Sequence, residues 1–249
     1  PAVVVNPLVE PVHVHIEEKV KATLQAEGGI DEVDVQGTFF VTVTDPNKGG
    51  LAAFRISPED KRFKTKVHPN INRGSYTNNI LELRDSTRAY TPNTPAAILK
   101  WRLQTKDEDY CPLSISCWPS IGNGGVTLTI EVEATDATRV LEDVHFSFTC
   151  PSHVSHQIVR VEGGEVQYDG ISLHWRLPQM SANGGDTSTA TLEFFAATDV
   201  NTVLPFSVEM YSTTNLCELE VEECFHMEKK EPIVYAVSRR TDYMLTVRA

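Results

Sequence analysis

The sequence lacks the motifs of the common enzyme classes and any long apolar segment. It contains no G-x-S-x-G elbow, no G-x-x-x-x-G-K-[ST] phosphate loop, no dinucleotide-binding G-x-G-x-x-G and no H-E-x-x-H pair. Its longest apolar runs, such as 96–99, cover only a few residues, whereas a membrane-spanning helix needs about 20. We therefore expect neither an enzyme nor a transmembrane protein, and no cofactor.

Positive charge and paired cysteines are also scarce. Lys and Arg number 22 against 34 Asp and Glu, which gives a net charge of −12 and argues against binding to nucleic acid. The five cysteines form no C-x-x-C pair, and no N-x-[ST] acceptor occurs. This pattern predicts free, buried thiols in a reducing cytosol. No signal-peptide pattern is present, and because the first residue is Pro1 we expect a piece of a longer protein.

What the sequence has is a period of two. The segment 126–133 places Val, Leu and Ile at even positions and Thr and Glu at odd ones, and 144–149, 171–177 and 204–211 alternate in the same way. Such alternation is typical of half-buried antiparallel strands. Together with many Gly- and Asn-rich turns, it predicts an all-β protein of about 14 to 17 strands. Glu18 breaks the pattern of the first strand, which predicts a bulge or a stretch where both faces meet solvent.

Two W-R-L triplets stand out, 101–103 and 175–177. On a strand, neighbouring side chains point to opposite faces, so the two tryptophans are predicted to be core anchors that bury about 200 Å² each. The arginines then point outward. A row of outward polar residues accompanies the first triplet: Lys100, Arg102 and Gln104. On an edge strand this row could bind an extended peptide by β-augmentation, or it could be ordinary surface.

The segment 61–66 is the only basic cluster of an acidic chain. It contains Lys61, Arg62, Lys64 and Lys66, with Arg73 nearby. These cations could contact anionic lipid headgroups or an acidic partner, since each cation near an anionic surface contributes about 1 kcal/mol. The alternative is a solvated loop balanced by acidic neighbours.

Two groups of possible metal ligands occur. His13 and His15 lie two apart on a predicted strand and therefore on one face, and Cys150, His153 and His156 are spaced by three. A structural zinc site takes four ligands, and neither group supplies four. We interpret the first as a polar strand face and the second as a buried cysteine beside loop histidines, so no metal is expected.

Several segments closely resemble the μ-homology domains of coatomer δ subunits. They are A-I-L-K-W-R-L-Q-T at 97–105, P-L-S-I-S-C-W-P-S at 112–120, V-H-V-H-I-E-E-K-V at 12–20 with its following Gly28-Gly29, V-H-P-N at 67–70, I-S-L-H-W-R-L-P at 171–178, N-L-C at 215–217 and the closing strand 243–247. The resemblance covers nearly the whole chain from about residue 10.

The resemblance implies an elongated domain of two β-sandwich-like subdomains. Subdomain A would comprise 1–120, with 1–10 as a linker, and 213–249; subdomain B, inserted into it, would comprise 121–212. It also implies a COPI coat module for retrograde transport from Golgi to endoplasmic reticulum, working with β-, γ- and ζ-COP. Such a module is cytoplasmic and joins Golgi and COPI vesicle membranes only through the complex, which ARF-family GTPases recruit.

The related μ subunits of clathrin adaptors bind Y-x-x-Φ cargo tails through an Asp, a Trp and an Arg. Alignment by resemblance puts His15, Tyr235 and Val237 at those positions, so we expect Y-x-x-Φ binding to be lost. The δ-type domains instead resemble readers of tryptophan motifs, W-x-W or W-x-x-[WF], in vesicle tethers and ARF GTPase-activating proteins.

We expect the peptide site in subdomain B. The predicted site residues are His174 and Arg176 with the strand residues Val144, Phe146 and Phe148, and as second choice Lys100, Arg102 and Gln104. Three alternatives stay open beside a Trp-motif reader: a structural arm that packs against other coat subunits, a Y-x-x-Φ cargo-tail binder, and, more remotely, a metal-dependent enzyme that uses His13 and His15.

Overall fold

The structure is a computed structural model that describes residues 10–249, so the predicted linker at 1–10 lies outside the described residues except for its last residue. The strands are β1 Val12–Gln25, β2 Ile30–Val43, β3 Ala52–Ile56, β4 Lys64–Val67, β5 Ile80–Leu81, β6 Ala96–Thr105, β7 Leu113–Gly122, β8 Gly125–Ala134, β9 Leu141–Thr149, β10 His156–Glu162, β11 Glu165–Tyr168, β12 Ser172–Met180, β13 Thr189–Ala196, β14 Phe206–Ser212, β15 Val221–His226 and β16 Tyr235–Arg248. The helices are single turns: α1 Pro46–Gly49, α2 Arg73–Tyr76 and α3 Val200–Val203.

The strands form three sheets. A nine-stranded sheet has the order β11-β12-β9-β14-β16-β1-β2-β6-β4, a four-stranded sheet the order β10-β13-β8-β7, and a three-stranded sheet the order β15-β3-β5. The sixteen strands of the described residues confirm the predicted all-β class and fall within the predicted number. None of the described helices has the length and apolar character required to cross a bilayer.

The chain divides into two compact units. Unit 1 comprises the stretch that ends at Glu18, Gln36–Leu103 and Asn215–Arg240; unit 2 comprises Lys19–Val35, Gln104–Thr214 and Thr241–Ala249. The bounds divide the long strands β1, β2, β6 and β16, each of which contributes residues to both units. The division into 1–120 plus 213–249 and an inserted 121–212 stays a prediction.

Aromatic side chains form the core of unit 2. Trp175 of β12 lies 4.8 Å from Phe146 of β9 between ring centroids, and Phe148 of β9 lies 4.7 Å from Phe206 of β14. Phe148 also packs edge-on against Phe194 of β13, which belongs to the four-stranded sheet. The two sheets of unit 2 therefore share one aromatic core, and the predicted burial of Trp175 is confirmed.

Unit 1 contains a buried carboxyl group that accepts hydrogen bonds from distant parts of the chain. Glu18 is fully buried and accepts hydrogen bonds from Trp101 Nε1 at 2.9 Å and from the backbone N–H groups of Leu216 at 2.5 Å and Cys217 at 3.0 Å. The predicted solvent-exposed break at Glu18 is therefore wrong. β1 keeps its alternation through this position, because the inward carboxyl group finds three donors. The predicted burial of Trp101 is confirmed.

Candidate functional site

A row of polar side chains crosses the outer face of the nine-stranded sheet in unit 2. Arg176 of β12 lies opposite His145 of β9, and His145 lies opposite Glu209 of β14. Glu165 of β11 flanks the row at one end and Met244 of β16 at the other. Arg176 is exposed, and the Met244 side chain is 48% exposed. The row thus offers a guanidinium, an imidazole and a thioether on one face.

A chain of three groups runs beside this row. His145 Nε2 and His174 Nδ1 are 2.9 Å apart, and His174 Nε2 lies 3.0 Å from Asp169 Oδ2. The His174 hydrogen bond, helped by the backbone N–H groups of Ser172 and Ile171, lowers the pKa of Asp169 to about 2. Asp169 is therefore ionised at neutral pH and fixes the orientation of the His174 ring.

His145 has a lowered pKa. Partial burial is the largest cause, the positive charges of Arg176 and His174 add to it, and Glu209 opposes it. A neutral imidazole has one donor nitrogen and one acceptor nitrogen. Because Nε2 is engaged with His174, Nδ1 is the ring nitrogen of His145 that remains for a bound peptide.

The remaining predicted residues of this site lie beneath the surface. Val144, Phe146 and Phe148 are fully buried, because they have the inward parity of β9. Their side chains build the core under the sheet and offer a peptide no surface. The outward residues of the same strand, His145 and Ser147, take their place. The alternation of the strand already separates the inward from the outward set in the sequence.

The residues of the second predicted row, Lys100, Arg102 and Gln104, do not all belong to the same unit. Lys100 and Arg102 are exposed on β6 in unit 1, whereas Gln104 belongs to unit 2, where its amide donates to Glu32 at 3.4 Å. β6 is not an edge strand, because β4 pairs with it over Lys64–Val67. The expectation of an open edge beside Lys100 and Arg102 is therefore wrong.

The positions aligned with the Y-x-x-Φ site lie in unit 1. His15 Nδ1 is 2.9 Å from Ser238 Oγ, and the Tyr235 hydroxyl donates to the carbonyl oxygen of Val221 at 3.2 Å. Val237 exposes an aliphatic side chain. None of these three residues is an arginine or a lysine, and the loss of Y-x-x-Φ binding stays a prediction. Among residues 10–249, no group of three or more His, Cys, Asp or Glu side chains is arranged to hold a metal ion.

Sequence reasoning missed a cleft in unit 2, here called the Gly28 cleft, with a volume of about 510 Å³. Its lining residues are Leu24, Gly28, Gly29, Ile30, Glu108, Asp109, Cys111, Leu113, Ser114, Ile115, Thr135, Asp136 and Ala137. Gly28 and Gly29 both have positive φ and carry no side chain that would fill the space. The Gly-Gly pair was a signal for a turn, but the facing segments come from distant parts of the chain.

A second cleft, in unit 1, has a volume of about 590 Å³. Its lining residues are Glu10, Pro11, Asn47, Lys48, His226, Lys229, Glu231, Pro232, Ile233 and Val234. It contains none of the predicted site residues.

The fold is that of an adaptor-complex medium-subunit domain. A model of the adaptor complexes medium subunit family matches residues 6–245. The chain belongs to this family, whose members are coat adaptor subunits.

Within the family, the chain is similar to coatomer δ subunits, as the sequence predicts. Coatomer subunit delta-1 of Oryza sativa subsp. japonica is 28% identical over 237 residues, which are 93% of this chain and 44% of that protein. Coatomer subunit delta of Arabidopsis thaliana is 28% identical over 222 residues, which are 86% of this chain and 41% of that protein. The chain thus spans less than half the length of these relatives.

Solved structures confirm the predicted μ-homology fold. The yeast delta-COP-I mu-homology domain complexed with a Dsl1 WxWxV peptide superposes with a TM-score of 0.81 at 19% identity, over 98% of this chain and 100% of that one. The Fcho1 mu-homology domain of Danio rerio with a bound Eps15 peptide superposes with a TM-score of 0.69 at 13% identity, over 96% and 97% of the two chains.

Proposed function

We propose that this chain is the μ-homology domain of a coatomer δ subunit and that it reads tryptophan-based peptide motifs for the COPI coat. In this role the parent protein is cytoplasmic, assembles with β-, γ- and ζ-COP and meets Golgi and vesicle membranes only through the complex. Retrograde transport to the endoplasmic reticulum and recruitment by ARF-family GTPases belong to the same proposal.

The observation that carries the proposal is the likeness, over 98% of the chain, to a yeast domain in complex with a WxWxV peptide. The same mode suits this chain physically. Each tryptophan that buries its ring contributes a few kcal/mol, and ordering a flexible segment offsets part of this gain. A micromolar, reversible contact follows, which fits a coat that assembles and disassembles. We expect tethers and ARF GTPase-activating proteins to supply such motifs.

We place the motif on unit 2, where two positions meet the needs of an indole ring. On the β12–β9 face, the Arg176 guanidinium can stack on a tryptophan, a contact that contributes about 0.5–2 kcal/mol. The adjacent His145 keeps one ring nitrogen, Nδ1, for a hydrogen bond to a peptide, because its Nε2 and both ring nitrogens of His174 are already engaged. Met244 lies three strands from Arg176, across β9 and β14, and can supply a polarisable apolar contact to another side chain of the motif.

The Gly28 cleft is the other position. Its lining includes Ile30 and Ala137, which reach the surface, and the exposed carboxylates of Glu108 and Asp109. A buried indole needs an acceptor for its N–H group, and these carboxylates can serve as one. The cleft is concave, so it removes more of an indole from water than an open sheet face does.

Isothermal titration with a W-x-W peptide and a Y-x-x-Φ peptide tests the function. We expect heat from the first and none from the second; no heat from the W-x-W peptide at high micromolar concentration would overturn the proposal. Arg176→Glu tests the sheet face, with Arg102→Glu in unit 1 as its charge-matched control. Ala137→Trp fills the rim of the Gly28 cleft from an exposed position. If neither Arg176→Glu nor Ala137→Trp weakens binding, both positions are wrong.

A structural role against other coat subunits is the second candidate. Unit 2 exposes Trp118 by 48% and Ile121 by 79% on β7, an edge strand of the four-stranded sheet. Exposed large apolar side chains at a sheet edge suit a stable interface. Trp118→Ser would then release this domain from reconstituted coat complexes without changing the affinity for a W-x-W peptide.

A further inference from the structure

The fold brings together cations from two distant parts of the sequence. In unit 1, Lys64 of β4 lies directly opposite Arg102 of β6, and Lys66 lies opposite Lys100. All four side chains are exposed. Because alternate residues of a strand share a face, these four residues form one surface, here called the cation ladder.

Like charges directly opposite each other destabilise a sheet. This chain has 34 acidic residues and a net charge of −12, yet it pairs cation with cation at two successive positions. An anion that lies across the ladder would turn both repulsions into attractions. The surface is therefore complementary to a ligand with several negative charges.

The position of β4 indicates the shape of that ligand. β4 is the last strand of its sheet, and no strand within residues 10–249 pairs with its outer side. The backbone N–H of His68 donates to the carbonyl of Ile98 at 2.8 Å, so by antiparallel alternation the even residues of β4 bond to β6. The N–H and C=O groups of Thr65 and Val67 then point away from β6, towards the open edge.

We propose that the cation ladder and the open edge of β4 form a docking site for an extended acidic peptide segment. The segment adds to β4 as a further strand, bonds to the backbone of Thr65 and Val67, and places carboxylates at alternate positions beside Lys64 and Lys66. Within residues 10–249 no strand pairs with this edge, and such an edge favours a peptide over a lipid surface, because an added strand supplies both donors and acceptors. This site is separate from the tryptophan-motif site and does not depend on it.

The test measures binding of a fluorescent peptide of alternating glutamate and threonine to the whole chain by anisotropy. We expect the double variant Lys64→Glu with Lys66→Glu to weaken binding by about tenfold or more, since it replaces attraction by repulsion at two contacts. The double variant Lys21→Glu with Lys106→Glu changes the net charge equally at exposed positions of unit 2 and should bind as the native chain does. Folding is checked by thermal melting: the ladder variant should melt no lower than the native chain, because it removes two like-charge pairs.

Two further probes separate strand addition from simple charge attraction. A peptide N-methylated at its threonines keeps every carboxylate but cannot bond to the edge, and a peptide of the same composition with contiguous glutamates has the wrong spacing. Both should bind at least about tenfold more weakly than the alternating peptide. Equal binding of either probe, or native affinity of the ladder variant, would overturn the proposal. Lysine-dependent retention on phosphatidylserine vesicles without peptide binding would replace it by a lipid site.

Discussion

The two W-R-L triplets have the same sequence and different surroundings. Each lies on the strand next to an end strand of the nine-stranded sheet, β6 beside β4 and β12 beside β11. Trp101 donates its indole N–H to the carboxyl group of buried Glu18, whereas Trp175 donates to the backbone carbonyl of Gly163 at 2.9 Å. Both inward tryptophans are therefore buried anchors, but the acceptor of the indole N–H is a buried carboxyl group in unit 1 and a backbone carbonyl in unit 2.

The outward arginines differ as well. Arg102 lies opposite Lys64, a cation, whereas Arg176 lies opposite Glu165, an anion. The triplet therefore determines which side chain points inward. The neighbouring end strand determines whether the outward arginine faces a like charge or an opposite charge. Each of the following experiments changes one side of this comparison.

The largest effect on stability is expected from removal of the buried Glu18 carboxyl group of unit 1. Glu18→Ala leaves three buried donors without an acceptor, and at about 1–3 kcal/mol each in isolation the free energy of unfolding should fall by about 3–5 kcal/mol. Urea denaturation measures it. The control Glu133→Ala, at an exposed position of β8, should stay within about 0.5 kcal/mol of the native chain. A loss below about 1 kcal/mol in Glu18→Ala would mean that the carboxyl group is not an anchor.

The next effect separates the two tryptophans. Trp101→Phe and Trp175→Phe remove the same atoms, so the difference between them reports the acceptor of the indole N–H. A hydrogen bond to a carboxylate contributes about 1.5–3 kcal/mol and one to a neutral carbonyl about 1 kcal/mol, and Trp101→Phe should therefore be the more destabilising by about 1 kcal/mol or more. Equal losses in urea denaturation would show that the two anchors are equivalent.

A smaller effect of opposite sign is expected at the end strands. Lys64→Glu converts a like-charge pair with Arg102 into an attractive one and should raise the free energy of unfolding by about 0.2–1 kcal/mol. Glu165→Lys makes the reverse change opposite Arg176 and should lower it by a similar amount. Thermal melting at low salt measures both, and high salt should diminish both because the side chains are exposed. The same sign for the two variants would contradict the comparison.

Local patterns predicted the parts of the fold that depend on local chemistry. The alternation at 126–133 predicted β8, and the triplets predicted the burial of both tryptophans. The sequence could not predict the role of Glu18, because two of its three donors, the backbone N–H groups of Leu216 and Cys217, are about two hundred positions away. For the same reason the basic segment 61–66 and the row at Lys100 and Arg102 are separate features in the sequence, although the fold pairs them.

The candidate site was predictable in part. The prediction that His174 and Arg176 point outward is confirmed. Val144, Phe146 and Phe148 of the neighbouring strand point inward, so their prediction as site residues is wrong. The Gly28 cleft joins a hairpin to segments near 110 and 136, and such concave surfaces arise only from the pairing of distant strands.

The smallest expected effect is on the pH dependence of stability, and it involves His145, which lies opposite Arg176. The pKa of His145 lies below its ordinary value of 6.5, first because of burial and then because of Arg176 and His174, against Glu209. On acidification, His145 is therefore protonated at a higher pH in the unfolded chain than in the folded one. The stability that a neutral His145 contributes is lost as the pH falls from 6.5 through the lowered value. Asp169, whose pKa falls from 3.8 to about 2, adds a separate loss between those two values.

Arg176→Gln removes the second cause of the His145 shift, so the melting temperature should fall less steeply with acidification just below pH 6.5. Arg102→Gln has no histidine opposite it on β4, where Lys64 lies, and should leave the slope of that profile unchanged. Melting temperatures of the native chain and both variants, measured in steps between neutral pH and the acid limb, test this difference. If the melting temperatures of all three proteins fell with the same slope below pH 6.5, Arg176 would not act on His145. The outward charges of the two triplets would then differ only in their effect on strand pairing.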